Sequence, residues 1–230
     1  MKAVGFDLGR TLVGSGGVPL SWKSHYKTAL SDAIIKCGYN IDCNKLAIGD
    51  EILSKYNTRI NYRETEASAD IIFSEILNGW QLDVQQYIGI LKESFFGYFQ
   101  QQVKVYEDTV STLKHLKGLG VKIGILTDVP YGMDKHYVLK DIKEFKEYVD
   151  VVLSSVDVGF RKPNNQGFIN LSYNLGVNPK DMIYVGDEEK DIIGANNSGM
   201  YSVLINRTSE DIFYGQKKTI RSLGELLEIV

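Results

Sequence analysis

The sequence predicts an α/β protein whose parallel sheet is covered by helices on both faces. Three short apolar runs, at 3–6, 121–126 and 182–185, have the length and composition of buried strands. Segments with helical periodicity lie between these runs and after them. Because strands that alternate with helices usually pair in parallel, this order predicts a layer of helices on each side of one sheet.

Each of the three apolar runs ends in a polar side chain. Asp7 follows the first run, Thr127 the second, and Asp187 follows the third after one glycine. Ligands of parallel sheets bind beyond the carboxyl ends of the strands, so these side chains should meet at one edge. We therefore expect the functional site there. A purely structural role for Asp7 as a helix cap is the alternative, since the turn into Thr11 is tight.

The composition is that of an ordinary globular protein. A chain of 230 residues can bury a large core, and its formal net charge of −3 gives no sign of a nucleic-acid or anionic-membrane partner. Cys37 and Cys43 are too few for a disulfide framework and match no metal motif. Because the first strand begins at residue 3, we expect no signal peptide, and no apolar run reaches membrane-spanning length. We expect a cytoplasmic protein.

The segment between the first two strands is helical in its pattern. Apolar residues keep helical spacing from Trp22 to a stop at Gly38, and Asp42 and Asp83 are suited to begin the second and fourth helices. The third helix is predicted over 65–79. Short connections between four amphipathic helices favour a small bundle. We expect the aromatic residues of the fourth helix to form the core of that bundle and not a substrate box.

The second half of the chain alternates regularly between the two kinds of element. The predicted helices cover 107–117, a segment ending near Tyr148, a segment capped by Asn164, residues 191–197 and residues 222–229. Further strands are predicted over 149–153 and 201–205, with a loop at 160–163. This half completes the sheet begun by the first strand.

The acidic residues of the predicted site suggest a metal. Asp7, Asp187 and Asp191, with Glu188 beside them, should cluster at one sheet edge, where carboxylates repel unless a cation lies between them. Mg²⁺ prefers such oxygen ligands and often binds phosphate with them. A carboxylate can attack a phosphoryl group, which a hydroxyl such as that of Thr127 and a cation such as Lys162 would bind.

Four motifs carry a resemblance to a known family. They are the run from Asp7 to Thr11, Thr127 at the end of an apolar strand, the pair Lys162-Pro163, and Gly186-Asp187 followed by further acids. In this order they resemble the motifs of the haloacid dehalogenase-like hydrolase superfamily. The resemblance implies a Rossmann-like three-layer sandwich over 1–14 and 103–230, with an inserted four-helix-bundle cap over 15–102.

The resemblance also implies roles for individual residues. Asp7 would be the nucleophile, and Thr127 and Lys162 would hold the transferring group. Mg²⁺ would be bound by Asp7, the backbone carbonyl of Gly9, Asp187 and Asp191, with Glu188 as an alternative to Asp191. The residues implied to contact substrate are Arg10, Thr11, Thr127, Asp128 and Lys162, although Asp128 is also readily interpreted as an ordinary loop residue.

One position departs from the family pattern. Gly9 stands where phosphatases of the family carry a second Asp that protonates the leaving group, a role worth about 10²–10⁴-fold in rate. We expect a Mg²⁺-dependent phosphatase of a small phosphorylated metabolite, monomeric or homodimeric, with a bias toward good leaving groups. The alternatives are phosphonate cleavage, which needs a cap lysine (Lys23, Lys27, Lys36, Lys45 or Lys55), and a catalytically silent member that binds a phospho-ligand or a protein.

Overall fold

A computed structural model describes residues 1–208 and 210–230 of the chain. Its centre is a parallel sheet of six strands in the order β5-β4-β1-β6-β7-β8. β1, the first strand in chain order, therefore lies inside the sheet, between β4 and β6. The strands are β1 (Ala3–Phe6), β4 (Lys122–Thr127), β5 (Val151–Ser154), β6 (Met182–Gly186), β7 (Tyr201–Ile205) and β8 (Lys218–Ile220).

Helices cover both faces of this sheet, as the sequence predicts. The helices of this part are α5 (Glu107–Gly118), α6 (Lys135–Asp141), α7 (Ser155–Val158), α8 (Asn165–Leu175) and α9 (Glu189–Asn197). Successive strand side chains point to opposite faces, so Val4 and Phe6 pack with Leu113 of α5, whereas Ala3 packs with the apolar residues of α8. Gly5 allows α8 to approach closely, because a Cβ there would lie 2.8 Å from the Leu171 side chain.

Four helices between β1 and β4 pack on one another. They are α1 (Tyr26–Lys36), α2 (Cys43–Tyr56), α3 (Ala69–Gly79) and α4 (Val84–Gln100). The side chains of Asp42, Ser68 and Asp83 accept hydrogen bonds from the first turns of α2, α3 and α4. Buried aromatic side chains of α4, among them Phe95 and Phe96, fill the space between these helices. The division into a core domain and a cap domain at 14/15 and 102/103 remains a prediction.

Several elements differ from the sequence-based expectation. A 3-10 helix at Trp22–His25 precedes α1, and α3 begins four residues late because Ser68 caps it while Thr65 bridges to Phe160. Strand β8 was not predicted, and neither was the antiparallel ribbon of β2 (Val13–Gly14) with β3 (Lys104–Val105). The remaining 3-10 helices are Pro130–Gly132, Lys146–Tyr148, Pro179–Asp181 and Leu223–Glu228, and the last of these replaces the predicted terminal α-helix.

No helix among the described residues combines the length and the apolar character needed to cross a membrane.

Candidate active site

A cavity of about 190 Å³ opens at the carboxyl ends of the central strands. Asp7, Thr127 and Asp187 line it from the ends of β1, β4 and β6, as the sequence predicts. Trp22 and Arg59, from the four-helix segment, line the opposite side. The cavity therefore lies between the sheet edge and the inserted helices.

A buried lysine joins two of the predicted acids. Lys162 Nζ lies 2.5 Å from Asp7 Oδ1 and 2.6 Å from Asp191 Oδ1, and its side chain is almost inaccessible to solvent. Burial raises the pKa of Asp7 to about 6, although Lys162 opposes this rise. The two carboxylates in turn keep the pKa of Lys162 well above its usual value despite burial. Lys162 is thus a fixed positive charge against Asp7.

Asp187 is held by a second cation. Arg10 Nη2 lies 2.5 Å from Asp187 Oδ2 and 3.5 Å from Glu188 Oε1. Burial and the neighbouring Asp7 raise the pKa of Asp187 to about 7, with Arg10 acting in the opposite direction. Arg10 has a backbone φ of +59°, in the left-handed region that favours glycine.

The three acids have the composition of a Mg²⁺ site. One carboxylate oxygen from each of Asp7, Asp187 and Asp191 lies within 4.8 Å of the others. Hard oxygen donors at this spacing fit Mg²⁺, and a cation would relieve their mutual repulsion. Asp191 is the least available ligand, because its Oδ1 accepts from Lys162 and its Oδ2 accepts from the backbone N–H of Glu188. These two hydrogen bonds suit Asp191 to holding Lys162 in position.

Gly9 lines the cavity beside Asp7 and has free space around it. A Cβ built on Gly9 would meet no heavy atom within 4 Å. A side chain could therefore begin at this position without a clash at its Cβ. The glycine is a chemical departure and not a steric requirement.

The remaining predicted site residues divide into two groups. Thr127 and Asp128 line the cavity, and Asp128 is tied down by Lys190 Nζ at 2.9 Å and by the Lys162 N–H at 3.0 Å. Burial would raise the pKa of Asp128, but Lys190, Lys162 and Arg161 together hold it below its usual value. Thr11 is buried and does not line the cavity, and its hydroxyl donates to Asp187 at 3.4 Å. Thr11 is therefore placed to hold the Asp187 carboxylate in position and not to contact a substrate.

Sequence reasoning missed several cavity residues. Arg59 pairs with both carboxylate oxygens of Glu188, at 2.6 and 2.9 Å, and Lys190 lies 3.1 Å from the same group. Burial alone would raise the pKa of Glu188, but these two cations lower it to about 2. Arg161 and Asp141 also line the cavity. These residues stand in helices or loops with no local pattern that marks them.

The family model described as haloacid dehalogenase-like hydrolase matches residues 34–205. The chain belongs to this family. The match covers most of the chain, from α1 to the end of β7. The matched segment includes Thr127 at the end of β4, Lys162 in the loop before α8, and Asp187 after β6.

Curated relatives of this haloacid dehalogenase-like hydrolase are phosphatases by name. It is 37% identical to a glyceraldehyde 3-phosphate phosphatase of Methanopyrus kandleri over 107 residues. This match covers 46% of the chain and 45% of the relative. Over 153 residues it is 27% identical to pyrophosphatase PpaX of Halalkalibacterium halodurans, covering 64% and 69%. The chain spans about half the length of the glyceraldehyde 3-phosphate phosphatases it matches.

Solved structures of the family superpose over the full length of the chain. A HAD phosphatase from Thermococcus onnurineus matches with a TM-score of 0.68 and 27% identity, covering 100% of this chain and 97% of the other. A 2-haloacid dehalogenase from Pseudomonas syringae has a TM-score of 0.69 at 20% identity, with the same coverage. The second similarity concerns the fold alone.

Proposed function

We propose that this haloacid dehalogenase-like hydrolase is a Mg²⁺-dependent phosphatase of a small phosphorylated metabolite. The observation that carries the proposal is the placement of Asp7 in the cavity, held by the buried Lys162 and next to Thr127 and Asp187. The names of the curated relatives support the same class of substrate. A cytoplasmic location and a monomeric or homodimeric state remain predictions.

Asp7 is the nucleophile in this proposal. One of its oxygens attacks phosphorus, the bond to the leaving oxygen breaks, and an aspartyl-phosphate forms. Lys162 keeps Asp7 ionised and offsets the charge of the phosphoryl oxygens, and the Thr127 hydroxyl donates to one of them. Mg²⁺, held by Asp7, Asp187 and the Gly9 carbonyl, would supply further neutralisation of the phosphate.

The proposed chemistry lacks an acid at the leaving group. Gly9 has no side chain, while Glu188 and Asp128 have pKa values held low by neighbouring cations and so stay ionised. Cleavage is therefore favoured for leaving groups that depart without a proton, such as aryl or acyl phosphates. The same absence slows the attack of water on the aspartyl-phosphate, so that the phosphoenzyme should accumulate.

The alternative of phosphonate cleavage finds no support at the cavity. It requires a cap lysine near Asp7, and none of the five lysines named from the sequence lines the cavity formed by the described residues. Lys55 pairs instead with Glu75, and Lys36 with Asp32. A catalytically silent member that binds a phospho-ligand remains the second candidate, because Gly9 removes the usual acid.

The deciding experiment is the Mg²⁺-dependent hydrolysis of p-nitrophenyl phosphate by the wild type, Asp7→Asn and Gly9→Asp. We expect Asp7→Asn to lose about a thousandfold or more in kcat, since it removes the nucleophile. Gly9→Asp should increase steady-state turnover by about tenfold or more. In the wild type, a rapid burst of p-nitrophenol equal to the enzyme concentration would report the phosphoenzyme.

Controls separate the two candidates. Asp134→Asn alters a carboxylate outside the cavity lining and should leave the rate unchanged. Equal activity of Asp7→Asn and the wild type would overturn the proposed nucleophile. If neither the wild type nor Gly9→Asp turns over aryl or acyl phosphates while calorimetry still detects Mg²⁺ binding, the silent binder is the correct description.

A further inference from the structure

The cavity extends well beyond the residues that the proposed chemistry uses. We call the part around Asp7, Thr127 and Asp187 the transfer end; Lys162 does not line the cavity but contacts Asp7 from within the protein. The part formed mainly by apolar side chains is the distal end, and its residues are Val18, Trp22, Val103, Met133, Val138 and Asp141. Both ends belong to the same cavity, so a molecule whose phosphate lies at the transfer end has room to extend toward the distal end.

The wall of the distal end is fixed by its packing. The Trp22 ring stacks on Phe99 of α4, with ring centroids 3.7 Å apart and an angle of 9° between the planes. Its centroid is also 5.7 Å from that of Tyr131, which is itself buried. A flat, rigid wall of this kind suits an apolar group such as an aromatic ring.

One carboxylate interrupts this apolar surface. Asp141 Oδ1 accepts from Gln100 Nε2 at 2.9 Å, and Gln100 also donates to the Tyr137 carbonyl at 2.8 Å, which fixes its orientation. Within the described residues Asp141 has no ion-pair partner, and its Oδ2 has no hydrogen-bond partner. Burial raises the pKa of Asp141 to about 6, so the group is ionised at pH 7.5. It is an acceptor with free capacity.

We propose that the distal end binds the leaving group of the substrate, and that this group is an apolar body with a hydrogen-bond donor, a hydroxyl or an ammonium, received by Asp141. The inference rests on the proposed phosphatase function and specifies its substrate class. Asp141 determines specificity and takes no part in the chemistry. A donor satisfies the free oxygen of Asp141, whereas a purely apolar group leaves it desolvated and unpaired.

The test uses matched aryl phosphates and one near-isosteric variant. The substrates carry para-alkyl arms of one or two carbons that end in hydrogen, hydroxyl or ammonium. Asp141→Asn keeps the acceptor for Gln100 and turns the free oxygen into an NH₂ donor. Glu144→Gln, at an exposed carboxylate just beyond α6, is the control. Because leaving-group reactivity is the same for each enzyme, the ratio of kcat/KM between wild type and variant isolates binding.

We expect the wild-type preference for a donor-bearing arm to fall about tenfold or more in Asp141→Asn and to persist in Glu144→Gln. A preference for both donors, or for ammonium alone, supports the proposal and identifies the donor. An unchanged preference in Asp141→Asn overturns it while leaving the phosphatase proposal intact.

The role of Asp141 can also be tested by measuring ligand affinity without turnover. Calorimetry of the same phosphates with the Asp7→Asn variant, compared with Asp7→Asn combined with Asp141→Asn, measures selectivity where hydrolysis does not occur. Loss of donor selectivity in the double variant supports the role of Asp141 even if the chain proves inactive. Equal affinities in the two proteins overturn the role.

Discussion

The two ends of the cavity differ in how their charges are balanced. At the transfer end each acid has a cation against it, since Lys162 faces Asp7 and Asp191 while Arg10 faces Asp187. At the distal end, the hydrogen-bond donor that Asp141 has among the described residues is the neutral Gln100, and no cation lies within ion-pair distance of it. A paired charge is held in place by its partner, whereas an unpaired charge that is partly buried, like that of Asp141, costs stability. The transfer end is therefore organised for fixed geometry, and the distal end suits a ligand that supplies the missing partner of Asp141.

The largest effect should come from breaking the pairing at the transfer end. Lys162→Met leaves Asp7 and Asp191 buried without a cation, and we expect the free energy of unfolding to fall by about 3–5 kcal/mol. Urea denaturation followed by circular dichroism measures the change. Lys2→Met breaks a solvent-exposed ion pair with Asp181 and should cost less than about 1 kcal/mol. Equal losses in the two variants would contradict the contrast between fixed and peripheral charges.

At the distal end, replacing a charged residue should raise the free energy of unfolding instead of lowering it. The pKa of Asp141 rises from 3.8 to about 6 on folding, so the folded state binds a proton more tightly and ionisation destabilises it. Asp141→Asn should therefore be more stable than the wild type above pH 6, by up to about 3 kcal/mol. The gain should shrink as the pH falls from about 6 to 4, which urea denaturation across this range would detect.

Asp150 provides a control of opposite sign. Burial would raise its pKa, but hydrogen bonds from Lys117 and the Ile123 N–H lower it overall. A lowered pKa contributes stability that is present at neutral pH and lost in acid. Asp150→Asn should thus be less stable than the wild type at pH 7, with the difference vanishing toward low pH. The same sign for both variants would exclude the proposed difference between the two carboxylates.

A smaller effect, on Mg²⁺ affinity, is expected from replacing Arg10 at the transfer end. In the proposed metal site Arg10 competes with Mg²⁺ for Asp187, so Arg10→Gly should tighten Mg²⁺ binding about tenfold, measured by calorimetry without substrate. Glycine tolerates the positive φ of this position. Arg59→Gln, which alters the partner of Glu188, should leave the affinity nearly unchanged. Weaker Mg²⁺ binding by Arg10→Gly would mean that the arginine supports the metal site.

The sequence predicts the transfer end because parallel strands deliver their last residues to one edge. Asp7, Thr127 and Asp187 each follow an apolar run, and their meeting follows from strand pairing alone. Lys162 needed the family motif, since an isolated lysine in a loop carries no signal. The sequence therefore predicts that these side chains lie at one sheet edge, and the roles of the residues remain proposals.

The distal end could not be derived in this way. Trp22 lies in the 3-10 helix that precedes α1, and Asp141 ends α6, so their approach to the cavity depends on how whole helices pack. The strands β2 and β3, with two residues each, and β8, with three, are too short for a period-two pattern to emerge. Long-range packing decided these features, and no local sequence pattern records it.

The central position of β1 has a consequence for the way the chain folds. Ala3 pairs with Lys122 on one side and with Met182 on the other, so the first strand has no partner until the whole helical segment has been made. Contacts within the four helices are closer in sequence and form at a lower cost in loop entropy. We expect the inserted helices to form early, and the Asp7 edge to be assembled only in the final stage of folding, once β6 closes the sheet around β1.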